Sequence, residues 1–353
     1  MSKFRTIDIS GHKIGRNHRP FIVAEMSGNH NQSLDKALKL IQLAANSGVD
    51  AVKLQTYTPD IMTLNLNERE FKVKSKNDSW ANKSLYDLYR EAHTPWDWHK
   101  DLFAEAKKLG LLIFSTPFDK TSVDFLETLA VPCYKIASFE NTDTELLKYT
   151  ASTGKPLIIS TGLATISDLG ETVSTIRNAG CDNFILLKCT SSYPANPKNS
   201  NILTIPHMRD LFDCEVGISD HTMGIGVSLA SISLGACFIE KHFTLSRAEG
   251  GVDSSFSLEP AEMQQLVIES KSAWDSLGKV VYEPSEEEQN SIQFKRSLYI
   301  VNDLKKGEKL TENNVRAIRP GFGLPPKLKS IVIGRKVLKN VTKGTALNWD
   351  IIE

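Results

Sequence analysis

Eight short apolar runs, at 21–26, 51–55, 112–117, 133–138, 156–162, 184–190, 215–220 and 237–243, each end in polar or ionisable residues. This succession constrains the fold more than any other feature of the chain. Val, Ile and Leu crowd together in most of the runs without a clean polar alternation, as in parallel strands covered on both faces. Helical patterns lie between them. Leu34, Ala37, Leu38, Ile41 and Ala45 recur at three-to-four spacing and stop at Gly48, and 97–109 repeats the design before Gly110. Eight such strand–helix units across roughly 20–280 predict an α/β fold, a (β/α)8 TIM barrel, whose active site forms where the strands end.

One interval is longer than the rest, about 60 positions from Ala51 to Leu112. It carries Lys72-Val73-Lys74-Ser75-Lys76-Asn77-Asp78-Ser79-Trp80, then Leu85-Tyr86-Asp87-Leu88-Tyr89 and His93-Thr94-Pro95-Trp96. An insertion here leaves the barrel on its catalytic side. It reads either as a substrate-facing lid or as a solvent-facing excursion with its own aromatic cluster. Near Glu283 the organisation changes. Pro284-Ser285-Glu286-Glu287-Glu288 reads as a linker or exposed helix start. After it the apolar patterns shorten to 296–300, 310–311, 315–318 and 332–337, punctuated by Gly307, Gly321, Gly323, Gly334 and Gly344. A small β-rich module of about 60 residues is expected, near the lower size at which a domain folds alone. The expected division is a barrel over 1–282, a linker over 283–294 and the module over 295–353. The loop Arg316-Ala317-Ile318-Arg319-Pro320-Gly321-Phe322-Gly323 either sets a guanidinium beside an anion or is a basic surface turn.

Charge composition narrows the functional classes. Lys and Arg total 42, and Asp and Glu total 42, so no general attraction to nucleic acid or to membranes follows. No stretch approaches the roughly 18 apolar residues of a membrane span, and Met1-Ser2-Lys3-Phe4-Arg5-Thr6 lacks the core of a secretory signal. The expected location is the cytoplasm. Cys133, Cys181, Cys189, Cys214 and Cys237 show no CxxC spacing and are expected to be reduced and buried.

Two histidines point to chemistry. His221, in Ile218-Ser219-Asp220-His221-Thr222, and His242, in Ile239-Glu240-Lys241-His242-Phe243, stand 21 positions apart, one strand–helix repeat. In a parallel barrel they would rise from neighbouring strand ends and share a divalent metal; singly, each reads equally as a hydrogen-bonded structural histidine. The other strand ends supply Lys53 and Gln55, Thr116, Lys135 and Ser138, Ser160 and Thr161, and Lys188, Thr190, Ser191 and Ser192. A ring of lysines and hydroxyls suits a phosphate monoester with an attached carboxylate, because each anionic oxygen takes charge-assisted hydrogen bonds. No GxGxxG or GxxxxGK[ST] motif supports a dinucleotide site or a nucleotide P-loop.

These strand ends also carry a resemblance. Ala24-Glu25-Met26-Ser27-Gly28-Asn29-His30, Val52-Lys53-Leu54-Gln55, Phe114-Ser115-Thr116-Pro117, Tyr134-Lys135-Ile136-Ala137-Ser138, Ile159-Ser160-Thr161-Gly162, Cys189-Thr190-Ser191-Ser192-Tyr193-Pro194 and the two histidine motifs resemble the sialic acid synthase family. Arg296-Ser297-Leu298 and Arg319-Pro320-Gly321 resemble its carboxy-terminal antifreeze-like (SAF, β-clip) domain. Met26, Ser27 and Gln32, together with Tyr86-Asp87-Leu88-Tyr89-Arg90-Glu91-Ala92-His93, look most like the pseudaminate-forming branch.

The resemblance implies a condensation of phosphoenolpyruvate with 2,4-diacetamido-2,4,6-trideoxy-L-altrose and water, giving pseudaminate and phosphate. It implies that His221 and His242 bind a divalent cation, manganese with magnesium or cobalt as alternatives, acting as a Lewis acid on the sugar aldehyde. Glu25 would orient or deprotonate the water, or contact the sugar; its plainer reading is a salt bridge to a barrel lysine. Phosphoenolpyruvate contacts carry over to Lys53, Thr116, Lys135, Ser138, Ser160, Ser191, Tyr193 and Ser219. Gln55 would stand near the metal, and Asp253 and Arg319 would hold the sugar. Ser191 replaces an asparagine common in neuraminate synthases, and Gly250-Gly251-Val252-Asp253 lacks their proline-glycine-proline lead-in. The resemblance further implies a domain-swapped homodimer and a product used in surface glycosylation such as that of flagellin. The alternatives are a legionaminate or N-acetylneuraminate synthase, an unrelated metal-dependent barrel aldolase or hydrolase and, in a different class, a non-catalytic carbohydrate- or ice-binding protein.

Overall fold

An antiparallel hairpin, β1 (Ile7–Ile9) and β2 (His12–Ile14), precedes the eight apolar runs. The runs become β3 (Phe21–Glu25), β4 (Ala51–Thr56), β5 (Leu112–Pro117), β6 (Tyr134–Ile136), β7 (Leu157–Ser160), β8 (Phe184–Cys189), β9 (Glu215–Ser219) and β10 (Phe238–His242). They close into a parallel barrel in the order β10-β3-β4-β5-β6-β7-β8-β9, as the spacing predicts. The computed structural model describes residues 5–74, 80 and 83–353. Within the long interval, residues 75–79, 81 and 82 therefore lie outside the described residues, as do the first four of the chain. Two compact units are distinguished, Met1–Gly278 and Lys279–Glu353.

Local chemistry explains the helices that wrap the barrel. The helix Leu34–Ser47 starts where the Ser33 side chain accepts from the Lys36 N–H, and stops at Gly48, whose φ of 81° is left-handed. Its Ala37, Leu40, Ile41 and Ala44 are buried against the strands. The pattern at 97–109 divides, with a single tight turn at Trp96–Trp98 before the helix His99–Lys108. Pro95, which has no N–H to donate, stands just before that turn.

The hairpin was not foreseen, and it closes the amino-terminal end of the barrel. Ile7, Ile9 and Ile14 are buried in one cluster with Phe21, Val23, Phe114, Ile158, Ile185 and Phe238, the inward residues at the strand starts. Side chains filling the strand-start layers in this way are what make a TIM barrel a core rather than a pore. Gly217 belongs to the same economy of space: a Cβ there would lie 2.3 Å from the Phe238 carbonyl oxygen.

The long interval forms helices Pro59–Met62 and Leu85–Ala92 before His99–Lys108. Leu88 and Ala92 pack with Val252, Val73 and Trp80, and the Trp80 Nε1 donates to the Val252 carbonyl at 2.7 Å. All five cysteines are free and buried. Among the described residues no helix is long and apolar enough to cross a membrane.

The second unit has the SAF domain's small β character. β11 (Ser297–Ile300) pairs antiparallel with β12 (Val315–Ile318), and Leu298, Ile300, Leu310, Val315, Val332 and Leu347 form its core. The expected strand patterns at 310–311 and 332–337 are corrected. Lys329–Val332 is a helical turn, Gly334 turns the chain at φ 91°, and only isolated bridges at Lys309↔Lys336 and Val337↔Ile352 follow. Apolar patterns this short bury side chains without sustaining a ladder. Glu287–Phe294, within the expected linker, is a run of exposed tight turns.

Candidate active site

Side chains alternate along each strand, so a single choice of phase decides what faces the barrel axis. On β3, Val23 and then Glu25 point inward; on β4, Ala51 and Lys53; on β10, Phe238, Glu240 and His242. Register then aligns them: Glu25 lies beside Lys53 and beside His242, and Ser219 beside Glu240. A cavity of about 330 Å³ opens above this layer, a size suited to a small ligand.

Its floor is a chain of alternating charges. Glu25 pairs directly with Lys53; Glu240 lies 3.7 Å from Lys53 and 3.6 Å from Lys135. All four are at most 4% exposed. Isolated buried charges would cost several kcal/mol each, so the alternation is what makes the set tolerable. Hydroxyls complete it. Lys53 Nζ donates to Thr116 Oγ1 at 3.2 Å, Lys135 Nζ to Ser160 Oγ at 2.6 Å, and Ser219 Oγ to Glu240 Oε1 at 2.8 Å. Ser138 Oγ accepts from the Gly162 N–H at 3.1 Å. A Cβ at Gly162 would fall 2.1 Å from Ser191 Oγ and 2.7 Å from Ser138 Oγ, so the two hydroxyls gather over a residue that must lack a side chain.

Burial and charge set the protonation tendencies. Burial works against the charge on Lys53, yet Glu240 and Glu25 outweigh it and hold the ammonium above its ordinary range. For Lys135, burial wins over Glu240 and its pKa falls. Burial raises Glu25 despite the pull of Lys53, a direction suited to a group that exchanges protons. Burial also works against Glu240, but Lys135 and Lys53 keep it ionised.

The two histidines meet at the cavity wall, with ring centroids 5.2 Å apart. Burial, then His221, push His242 well below the usual imidazole range, so it is neutral. Its Nδ1 is buried without a hydrogen-bond partner and lies 3.7 Å from Asp253 Oδ2. His221 Nδ1 stands 3.1 Å from the Thr190 carbonyl, an acceptor only, so Nδ1 carries a proton and Nε2 is the lone pair of the neutral ring. Burial opposes a charge here, but Cys189 and that carbonyl outweigh it and raise the ring's pKa. A neutral imidazole, a second with its tautomer fixed by a carbonyl, and a nearby carboxylate fit a divalent cation bound by nitrogen and oxygen. Among the described residues no set of three or more His, Cys, Asp and Glu side chains gathers as a complete cage. A cation here would therefore keep open positions.

Around this pair, Gln55 Nε2 donates to Glu25 Oε1 at 3.1 Å and to Ser27 Oγ at 3.2 Å. Ser27, in the left-handed region at φ 46°, also donates its hydroxyl to Asp253 and its N–H to Glu25 Oε1 at 3.0 Å. Tyr193 packs on His221 at 4.5 Å and on Trp80 at 5.7 Å. Val73, Trp80, Leu85, Leu88, Tyr89 and Ala92 line the cavity, so the described part of the long interval faces the site.

Of the residues singled out in the sequence, Glu25, Lys53, Gln55, Thr116, Lys135, Ser138, Ser160, Ser191, Tyr193, Ser219, His221, His242 and Asp253 are brought to this end of the barrel. Arg319 is exposed in the second unit. Four of the wider strand-end ring are corrected. The Thr190 and Ser192 hydroxyls donate to the Asn199 and Pro194 carbonyls and stand outside the cavity. Lys188 lies on the outward phase between Leu187 and Cys189, its Nζ donating to the Cys189 carbonyl, and the Thr161 hydroxyl is spent on the Leu187 carbonyl. Glu240, Glu140, Ser27 and Cys189 line the cavity and were missed. Glu240 was within reach, because it lies two positions before His242 and must share its face. Burial pushes Glu140 up to about 7, and its Oε2 has no partner.

Residues 40–282 match the NeuB family and residues 295–353 the SAF domain. The chain is 41% identical to the pseudaminic acid synthase of Helicobacter pylori, over 95% of this chain and 98% of that protein. It is 35% identical to the N,N'-diacetyllegionaminic acid synthase of Legionella pneumophila, over 94% of each. The crystal structure of an N-acetylneuraminic acid (sialic acid) synthetase from Leptospira borgpetersenii superposes with a TM-score of 0.72 at 32% identity, covering 82% of this chain and 96% of that one. The resemblance read from the strand ends is thus borne out, and the chain belongs to the NeuB family.

Proposed function

We propose that this chain condenses phosphoenolpyruvate with 2,4-diacetamido-2,4,6-trideoxy-L-altrose and water, releasing phosphate and forming pseudaminate. The observation that carries the choice of sugar is the 41% identity to a pseudaminic acid synthase along nearly the whole of both chains, against 35% to a legionaminic acid synthase. A non-catalytic carbohydrate binder would have no use for four buried alternating charges beside two imidazoles.

In this reading Lys53, Lys135, Thr116, Ser138, Ser160, Ser191 and Ser219 hold the phosphate and carboxylate of phosphoenolpyruvate, by charge-assisted hydrogen bonds in a site shielded from water. Tyr193 forms a wall beside them. The enol carbon then attacks the aldehyde carbon, whose oxygen becomes the new hydroxyl by taking up one proton, and the positive charge left at the phosphate-bearing carbon is quenched by water. Glu25, raised by burial and fixed by Ser27 and Gln55, takes the proton of that water. The tetrahedral centre then collapses to the 2-keto group as its carbon–oxygen bond to phosphate breaks, and the proton of its hydroxyl leaves with the phosphate. Asp253 orients a sugar hydroxyl. His221 and His242 would hold a divalent cation, manganese or alternatively magnesium or cobalt, which supplies Lewis acidity at the aldehyde oxygen when bound.

Arg319 enters as a contribution from a second copy, in a homodimer whose SAF domains cross to the opposite barrels. Phe139, Leu163, Leu203 and Met223, exposed on the loops after β6, β7, β8 and β9, favour such a cover over this sector of the rim. The division into a barrel (1–282), linker (283–294) and SAF domain (295–353) belongs to the same proposal. Mass analysis of the products formed from phosphoenolpyruvate and a panel of acetamido sugars tests the reaction. Pseudaminate should dominate; turnover of a neuraminate or legionaminate precursor instead would overturn the choice of sugar.

A further inference from the structure

We propose that the buried pair Asp220–Lys241, on the outer side of the barrel, positions His221 against His242 and so sets the affinity of the site for a divalent cation. The inference rests on the metal reading given above.

The two imidazoles stand beyond the end of strand pairing. β9 stops at Ser219, and its ladder to β10 comprises only Ile218↔Ile239 and Ser219↔Glu240. The last backbone hydrogen bond between the two segments runs from the Asp220 N–H to the Glu240 carbonyl, at 2.9 Å. Past it the backbones diverge to other partners: the His221 carbonyl accepts from Ala195, and the Phe243 N–H donates to Glu25. No backbone bond ties the two segments at the level of the histidines.

Side chains take over at that level. Lys241 Nζ donates to the Thr222 carbonyl at 2.5 Å and lies 3.3 Å from Asp220 Oδ2. Asp220 Oδ1 accepts the Thr222 N–H at 2.9 Å and the Thr222 hydroxyl at 2.8 Å. Its Oδ2 accepts from Ser228 Oγ, at 2.6 Å, on the helix Gly226–Ser233. The lysine preceding His242 thus grips the chain on both sides of His221. Asp220, Lys241, Thr222 and Ser228 are at most 3% exposed, so water does not loosen the lock.

Alternation turns Asp220 and Lys241 away from the cavity, so neither touches a ligand within it. The charges themselves are not needed for stability, since apolar side chains of similar volume commonly serve a buried position as well as an ion pair does. What the pair adds is directional: fixed hydrogen bonds joining two segments that the sheet no longer joins. Groups that orient metal-binding histidines from behind typically change metal affinity by about 10- to 100-fold when removed.

The test is Mn²⁺ binding to the full-length protein without substrates, read by electron paramagnetic resonance of the free ion. Asp220→Asn, Lys241→Met and the apolar double variant Asp220→Leu/Lys241→Met should each bind about 10- to 100-fold more weakly than wild type. The double variant should fold with a lowered melting temperature, because the buried Thr222 and Ser228 donors lose their acceptor, and at saturating Mn²⁺ it should keep the wild-type KM for phosphoenolpyruvate. Ser228→Ala, which removes one hydrogen bond to Asp220, should weaken binding by no more than about fivefold. Wild-type Mn²⁺ affinity in the folded double variant would overturn the proposal. Wild-type protein that binds Mn²⁺ no better than His221→Ala would overturn the metal reading itself, and this proposal with it.

Discussion

The two ends of the barrel are made by the same eight strands and solve opposite problems. At the amino end Phe21, Val23, Ile158, Ile185 and Phe238 meet the hairpin residues Ile7, Ile9 and Ile14 in a cluster with no carboxylate, ammonium, guanidinium or imidazole. A few residues further along the same strands, Glu25, Lys53, Lys135, Glu240 and His242 are equally buried but charged or polar, and Glu240 Oε2 and His242 Nδ1 have no hydrogen-bond partner. One end spends burial on stability. The other holds groups in states they would not adopt in water, which is how perturbed protonation and ligand affinity arise.

That contrast can be broken by substitutions that should separate activity from stability. The largest effect is expected at the polar end. His221→Ala should lower turnover by about 10³-fold or more, with the melting temperature nearly unchanged. Full activity of that variant in the presence of a chelator would remove metal chemistry from the site. At the apolar end Phe238→Ala should cost about 3–5 kcal/mol of stability, seen as a shifted denaturation midpoint, while each folded molecule keeps the wild-type kcat. A fall in kcat without loss of stability would show that the two ends are not separable. Lys135→Ala should raise the KM for phosphoenolpyruvate by about 10²- to 10³-fold, since it removes one of two buried cations from the anion site. An unchanged KM would exclude it from phosphate binding.

The smallest effect concerns pH. Burial pushes Glu140 up to about 7, from an ordinary value of 4.5. The folded chain therefore holds this proton more tightly than the unfolded chain. The associated stability is complete below about 4.5, declines as the unfolded carboxyl ionises, and is lost by about 7. The loss is about 3 kcal/mol. Glu140→Gln should flatten this part of the stability–pH profile, and parallel profiles for the two proteins would show that Glu140 is not the group responsible.

Sequence reading succeeded where physics is local. Strand spacing and the glycine stops at Gly48 and Gly110 follow from periodicity and turn chemistry, and thirteen of the fourteen site residues proposed from strand ends and from the resemblance stand at one barrel end. It failed where phase or long-range closure decides. Lys188 and Cys189 are neighbours, and only barrel closure turns the thiol inward and the ammonium outward. Glu240 sits in the same motif as His242, yet its role as the shared partner of Lys53 and Lys135 needs three strands brought together. Glu140 lies on a turn after β6, where no alternation predicts direction.

By itself, then, the order of residues determined that eight buried strands would alternate with helices, and that lysines, hydroxyls and two histidines would stand at strand ends. These are properties of hydrophobic period and of local turn chemistry, which act within a few residues. The tertiary structure decided which of those groups share a cavity, in what sequence their charges alternate, and that Asp220 and Lys241 brace the histidines from outside. Those outcomes depend on distances between residues far apart in the chain, and such distances exist only once the sheet has closed on itself.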